Sequence, residues 1–130
     1  MYVKAVGLAA IGALALASSA LAHHSFAMFD ASRTITMKGA VKELEWTNPH
    51  SWLRLTIKDE ATGRDLQWAF EMGSPQQQIR RGWQPDIVKP GDIVTVNMHP
   101  LKDGSRGGQL VSAILPNGKS VGGAGAPAQE

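Results

Sequence analysis

Residues 33–46 read RTITMKGAVKELEW and predict one long β-strand that bends near its middle. Apolar and polar residues alternate along it, which is typical of a strand with one face on a core. Gly39 falls on the apolar face, and a glycine inside a strand indicates a bulge or a sharp bend. Small closed barrels need such bends, so this strand favours a barrel.

The segments around this strand predict the order strand, strand, strand, helix, strand, strand. The short helix starts at Ser74, because Pro75 fits the first helical position and Gln77 can complete a capping box. The remaining strands are predicted at residues 50–59, 64–71, 92–99 and 109–115. This order is that of the OB-fold, so we expect an all-β protein with one short helix, folded as a five-stranded OB-like β-barrel.

The first residues of the chain are typical of a secretory signal peptide. Lys4 precedes an uncharged stretch rich in alanine, leucine and glycine, and Ala20-Leu21-Ala22 satisfies the small-x-small rule for cleavage. The stretch is too short for a membrane anchor. We therefore expect residues 1–22 to be removed and the protein to be periplasmic, with cleavage after Ala20 as the alternative.

The rest of the chain predicts one domain without covalent cross-links. The 130 residues contain no cysteine, which excludes a disulfide, a thiolate metal site and a cysteine nucleophile. The net charge of +2 is too balanced to indicate nucleic-acid binding. We expect an N-terminal segment at 23–32, the barrel domain at 33–117, and a disordered Gly/Ala-rich tail at 118–130 that adds little to stability.

Several blocks of the chain resemble a known family. Two long blocks are HHSFAMFD at residues 23–30 and EWTNPHSW at residues 45–52. Shorter blocks are WAFE at 68–71, GSP at 73–75, RRGW at 80–83, KPGD at 89–92 and HPLKDG at 99–104. With these blocks the chain resembles a family of small exported proteobacterial proteins that is known only as a domain of unknown function. The resemblance implies export and one small β-rich domain, and it assigns no activity and no catalytic residue.

The four histidines suggest a metal site. If the signal peptide ends at Ala22, His23 becomes the first residue and offers its α-amine and its ring Nδ1 to one metal ion. A second imidazole, from His24, His50 or His99, then completes three nitrogen ligands, and nitrogen-rich tetragonal sites suit copper(II). The alternative is that the terminal pair is solvated and that the other two histidines bind backbone groups in their turns.

The predicted barrel brings two of these histidines towards each other. OB-type barrels place the loop between strands 1 and 2 beside the loop between strands 4 and 5, at the usual ligand face. His50 closes the first loop and His99 opens the second, so we expect the two imidazoles to converge. The ten residues between His23 and the first strand span at most about 33–36 Å, which is enough to reach them.

Tryptophans beside the first loop carry the alternative hypothesis. Trp46 and Trp52 flank the loop that contains Asn48, and Trp52 is predicted to face outward beside Arg54. Aromatic rings at such a face can stack on a sugar, a base or a protein side chain. The sequence thus predicts an exported metal-binding accessory protein, with copper favoured, or a metal-free periplasmic module for a small molecule, a glycan or a protein partner. No catalytic motif is recognisable, so an enzyme is the least favoured class.

Overall fold

The protein is seen in a computed structural model, which describes residues 27–126. The predicted signal peptide at 1–22, the pair His23-His24 and residues 127–130 lie outside the described residues. The elements in chain order are β1 (Ile35–Glu45), β2 (Trp52–Lys58), β3 (Asp65–Glu71), α1 (Pro75–Arg80), β4 (Ile93–Pro100), β5 (Gly107–Ile114) and β6 (Ser120–Gly122). The predicted order is confirmed, and a short sixth strand follows it.

The first five strands close into a barrel. Neighbouring strands pair antiparallel in the order β3-β2-β1-β4-β5, and β3 closes the ring by pairing parallel to β5. β1 pairs with β4 through residues 35–40 and with β2 through residues 40–45. The change of partner occurs at Ala40. At the preceding Gly39 a Cβ atom would come within 2.7 Å of the Thr56 carbonyl oxygen. The glycine therefore permits the bend, and the predicted OB-like barrel is confirmed.

The core fills the barrel as the alternation predicts. Leu53 and Leu55 of β2 are fully buried, and Trp83, which follows α1, is buried completely as well. α1 begins with the predicted capping box, in which the Ser74 hydroxyl accepts a hydrogen bond from the Gln77 N–H and the Gln77 side chain accepts one from the Ser74 N–H. The cap fixes the point at which the chain leaves β3 and enters the helix.

One row of paired residues runs across the barrel at the end where β2 begins. Its members, taken from β1, β2, β3, β5 and β4 in turn, are Glu45, Trp52, Glu71, Gln109 and His99. Each of the last four has a neighbour in the chain whose side chain is buried in the core, and these neighbours are Leu53, Phe70, Leu110 and Met98. Because side chains alternate along a strand, the row faces outward. We call it the outer row below.

The C-terminal segment lies on the barrel, so the prediction of a disordered tail from residue 118 is wrong for residues 118–126. β6 pairs with β5, and Val121 is only 2% exposed. The Gly122 carbonyl accepts a hydrogen bond of 2.6 Å from the indole Nε1–H of Trp83. The folded unit therefore extends beyond the predicted boundary at residue 117.

Glycines allow this segment to approach β5 closely. The N–H groups of Gly123 and Gly125 donate hydrogen bonds of 2.8 Å to the carbonyl oxygens of Val111 and Leu110. A Cβ atom at Gly123 would collide with the Leu110 carbonyl oxygen. The segment is thus held by main-chain hydrogen bonds and by close approach of its backbone to β5. A search for regularly spaced apolar residues in the sequence detects neither.

The N-terminal segment also docks on the barrel. Phe29 is buried and forms an isolated bridge with Leu101, just beyond the end of β4. The Asp30 N–H donates to the Pro100 carbonyl oxygen at 2.9 Å, and the Lys102 N–H donates to the Met28 carbonyl oxygen at the same distance. The chain therefore enters β1 alongside the residues that follow β4.

Deletion of residues 118–130 is expected to lower the melting temperature by about 10 °C or more. Val121 loses a burial that is typically worth about 1.5–3 kcal/mol, and the indole N–H of Trp83 loses its acceptor at a cost of about 1–3 kcal/mol. Thermal unfolding followed by circular dichroism measures the change. A chain that ends at Ala126 is the control, and a melting temperature of the longer deletion within about 2 °C of that control would contradict the expectation.

Candidate functional site

His99 is held in one orientation at the end of β4. Its Nδ1 lies 2.9 Å from the carbonyl oxygen of Arg33, which can only accept, so Nδ1 carries a proton and, in the neutral ring, Nε2 keeps a free lone pair. On the other side of the ring, a Cβ atom at Gly125 would come within 3.0 Å of Cδ2. The imidazole therefore lies between the N-terminal and C-terminal segments, with its partly exposed surface at the outer row.

His50 closes the loop between β1 and β2 and is fixed in a similar way. Its side chain is 32% exposed, and Nδ1 lies 3.2 Å from Glu71 Oε1 and 3.1 Å from the Met72 carbonyl oxygen. Two oxygen acceptors at Nδ1 require the proton on that nitrogen. In the neutral ring Nε2 is then left as an acceptor, as in His99.

Glu71 is the acidic residue beneath His50, and sequence reasoning missed it. It is only 7% exposed although it belongs to the outward-facing row, because His50 lies against it. Burial raises the pKa of the Glu71 carboxyl, and the nearby His50 opposes that rise. Only the position of the loop buries this carboxylate, so the alternation along β3 contains no indication of it.

The two described histidines share one end of the barrel but do not form one cluster. Glu71 pairs with Gln109 and Gln109 pairs with His99, so two strand spacings, about 10 Å between Cα atoms, separate Glu71 from His99. His50 contacts the far side of Glu71. Within residues 27–126 no group of three His, Cys, Asp or Glu side chains is placed to hold a metal ion.

The tryptophan-flanked face is partly occupied by its own residues. The Arg54 guanidinium lies 5.7 Å from the centre of the Trp52 ring and donates to Glu45 Oε2 at 2.8 Å and 3.3 Å. Trp46 is partly buried against the core, whereas Asn48 is exposed. The Trp52 face is therefore open to a ligand only where the guanidinium leaves it uncovered.

A shallow groove of about 220 Å³ adjoins Arg54 on the outer face of the barrel. Its lining residues are Lys42, Arg54, Gln67, Trp68, Ala69 and Arg106. The Arg106 Nε–H donates to the Gln67 carbonyl oxygen at 3.3 Å, which fixes the loop between β4 and β5 beside β3. Three cationic side chains thus surround a small recess.

Comparison with known proteins identifies a family. The sequence profile of a family of unknown function (DUF6152) matches residues 11–111, which is most of the chain. No curated protein and no solved structure matches the chain. In the part of the chain that the structure describes, no helix is long and apolar enough to cross a membrane.

The substitution Glu71→Gln is expected to change how stability depends on pH. A carboxyl whose pKa is raised in the folded state makes the free energy of unfolding fall as the pH rises from its ordinary value of 4.5 through the raised pKa. The variant lacks this loss, and its amide oxygen can still accept from His50. Relative to the wild type, it should gain stability across that interval.

Urea unfolding at a series of pH values between about 4 and 8 measures this difference. Glu43→Gln, at an exposed position of β1, is the matched control and should leave the profile unchanged. Parallel profiles for wild type and Glu71→Gln would contradict the expectation.

Proposed function

The chain belongs to the family of unknown function DUF6152, and we propose that it is an exported, periplasmic accessory protein that binds a divalent metal ion, copper(II) first, through its histidines. The signal-like residues 1–22 and the position of His23 directly after them support this proposal. Its main structural support is the fixed orientation of His50 and His99 in the barrel.

Both described imidazoles donate Nδ1–H to an oxygen, so in the neutral ring Nε2 carries the free lone pair. His99 uses the Arg33 carbonyl oxygen, and His50 uses Glu71 Oε1 together with the Met72 carbonyl oxygen. Metal-ligating histidines characteristically donate the other ring N–H to a carboxylate or a backbone carbonyl, which fixes the tautomer and strengthens the ligand. The arrangement therefore supports metal binding at Nε2.

The path of the N-terminal segment favours His99 over His50 as the partner of His23. Phe29 is anchored to Leu101, which lies two residues from His99, about 7 Å along the strand. The six residues from His23 to Phe29 span at most about 20–22 Å, so chain length permits a contact with His99. His50 contacts Glu71, which lies two strand spacings from His99, and it is a less favoured candidate.

Copper(II) is the first metal to test because the donors are nitrogen. An α-amine and a ring nitrogen of His23, with one further imidazole, supply three nitrogen ligands for a tetragonal site. The α-amine has an ordinary pKa near 8, so binding at neutral pH releases its proton without a large cost. A role in holding or delivering the ion fits the described residues. Among them, the one pairing of a histidine with a carboxyl group is that of His50 with Glu71.

Calorimetric titration of copper(II) into the processed protein that begins at His23 tests the proposal. We expect one equivalent to bind and His99→Ala to weaken the affinity by about 10–100-fold or more. Acetylation of the His23 α-amine should have an effect at least as large, because it removes the α-amine from the chelate without placing His24 third in the chain. Mass spectrometry confirms each N-terminus.

His50→Ala is the matched control for His99→Ala, since it removes an imidazole of similar exposure from the same end of the barrel. We expect it to change the affinity by less than about 3-fold. Weak binding, or an affinity that neither acetylation of the α-amine nor either histidine variant changes, would contradict the proposal.

The cationic groove favours a second candidate function, the metal-free binding module. Lys42, Arg54 and Arg106 surround the recess, and Arg54 also contacts the Trp52 ring. An acidic glycan or an acidic segment of a periplasmic protein therefore suits the recess better than a neutral ligand. Under this alternative, Arg106→Gln weakens binding of an anionic ligand while the histidine variants leave it unchanged.

A further inference from the structure

The barrel wall opens between β1 and β2 at the end away from His50. Pairing between the two strands stops at Ala40 and Thr56. Beyond that point β1 continues with β4 alone, whereas β2 continues with β3 as far as Lys58. The bend at Gly39 separates the two strands, and a cleft lies between them.

The cleft has the size and floor of a small-molecule site. Its volume is about 430 Å³, within the range of about 300–1,000 Å³ that is usual for ligand pockets. Met37, Ile57, Leu66 and Trp68 line its apolar part. Trp68 is only partly buried, and its ring stacks on Phe70 at 6.4 Å between centroids and 11° between planes. A tryptophan fixed in this way presents a rigid aromatic surface to the cleft.

The charged side chains around the cleft favour a ligand with a positive charge. Lys58 is already paired, since its Nζ lies 3.0 Å from Asp65 Oδ1. Lys38, Asp59 and Glu60 also line the cleft, so one positive charge faces two negative ones. Asp59 accepts hydrogen bonds from Thr62 and Ala61 of its own turn. Among the described residues Glu60 makes no ion pair, which leaves its carboxylate available.

We propose that this cleft binds a small organic ammonium ion with an apolar or aromatic body. The body packs on Leu66 and Met37, the ring of Trp68 attracts the cation, and the Glu60 carboxylate pairs with the ammonium group. Lys38 opposes the same charge from the other side of the cleft. No histidine lines this cleft, so the test of this proposal does not depend on metal binding.

Phenethylamine is the probe, and 3-phenylpropionate, of similar size and opposite charge, is its matched control. Titration of ¹⁵N-labelled protein is followed by the indole Nε1–H resonances of the four tryptophans, with that of Trp68 identified by its loss in Trp68→Phe. We expect the Trp68 resonance to move with phenethylamine, with a Kd on the order of 1 mM, while those of Trp46, Trp52 and Trp83 stay in place.

Two charge variants of exposed residues should act in opposite directions. Glu60→Gln is expected to weaken phenethylamine binding by about 2–5-fold, and Lys38→Gln to strengthen it by a similar factor. Lys42→Gln, which lines the other groove, is the control and should change nothing. Tighter binding of 3-phenylpropionate, movement of a different indole resonance, or equal affinities of wild type and Glu60→Gln would overturn the proposal.

Discussion

The parallel pairing of β3 with β5 is the contact on which the rest of the barrel depends. Residues 69–71 pair there with Gly107, Gly108 and Gln109. A Cβ atom at Gly107 would lie 2.5 Å from the Ala69 carbonyl oxygen, and one at Gly108 would collide with the carbonyl oxygen of His99. Two successive glycines thus allow β5 to fit between β3 and β4. Without this fit the sheet would remain open, and the outer row would not continue from Glu71 to His99.

The same closure gives the two histidines different surroundings on one surface. His50 contacts the Glu71 carboxyl, whose pKa is raised by burial. His99 contacts the backbone carbonyl of Arg33, which carries no net charge. Glu71 contacts His50 directly, whereas two strand spacings separate it from His99.

Much of the fold could be predicted from local patterns, because strand alternation and helix capping depend on near neighbours. Leu53 and Leu55 point inward as predicted, and Ser74 caps the helix with Gln77. The separation of His50 and His99 could not be predicted, since it depends on the register between β3 and β5. The C-terminal segment was missed for another reason: it buries one apolar side chain, Val121, and is otherwise held by backbone groups.

The imidazole of His99 lies where the segment that leads into β1 meets the C-terminal segment. Arg33 contacts its Nδ1 from one side, and Gly125 lies beside Cδ2 on the other. A short linker across this corner would join the two ends without passing over the barrel. A new opening at an exposed turn elsewhere would then leave every strand pair intact. The architecture is therefore compatible with circular permutation.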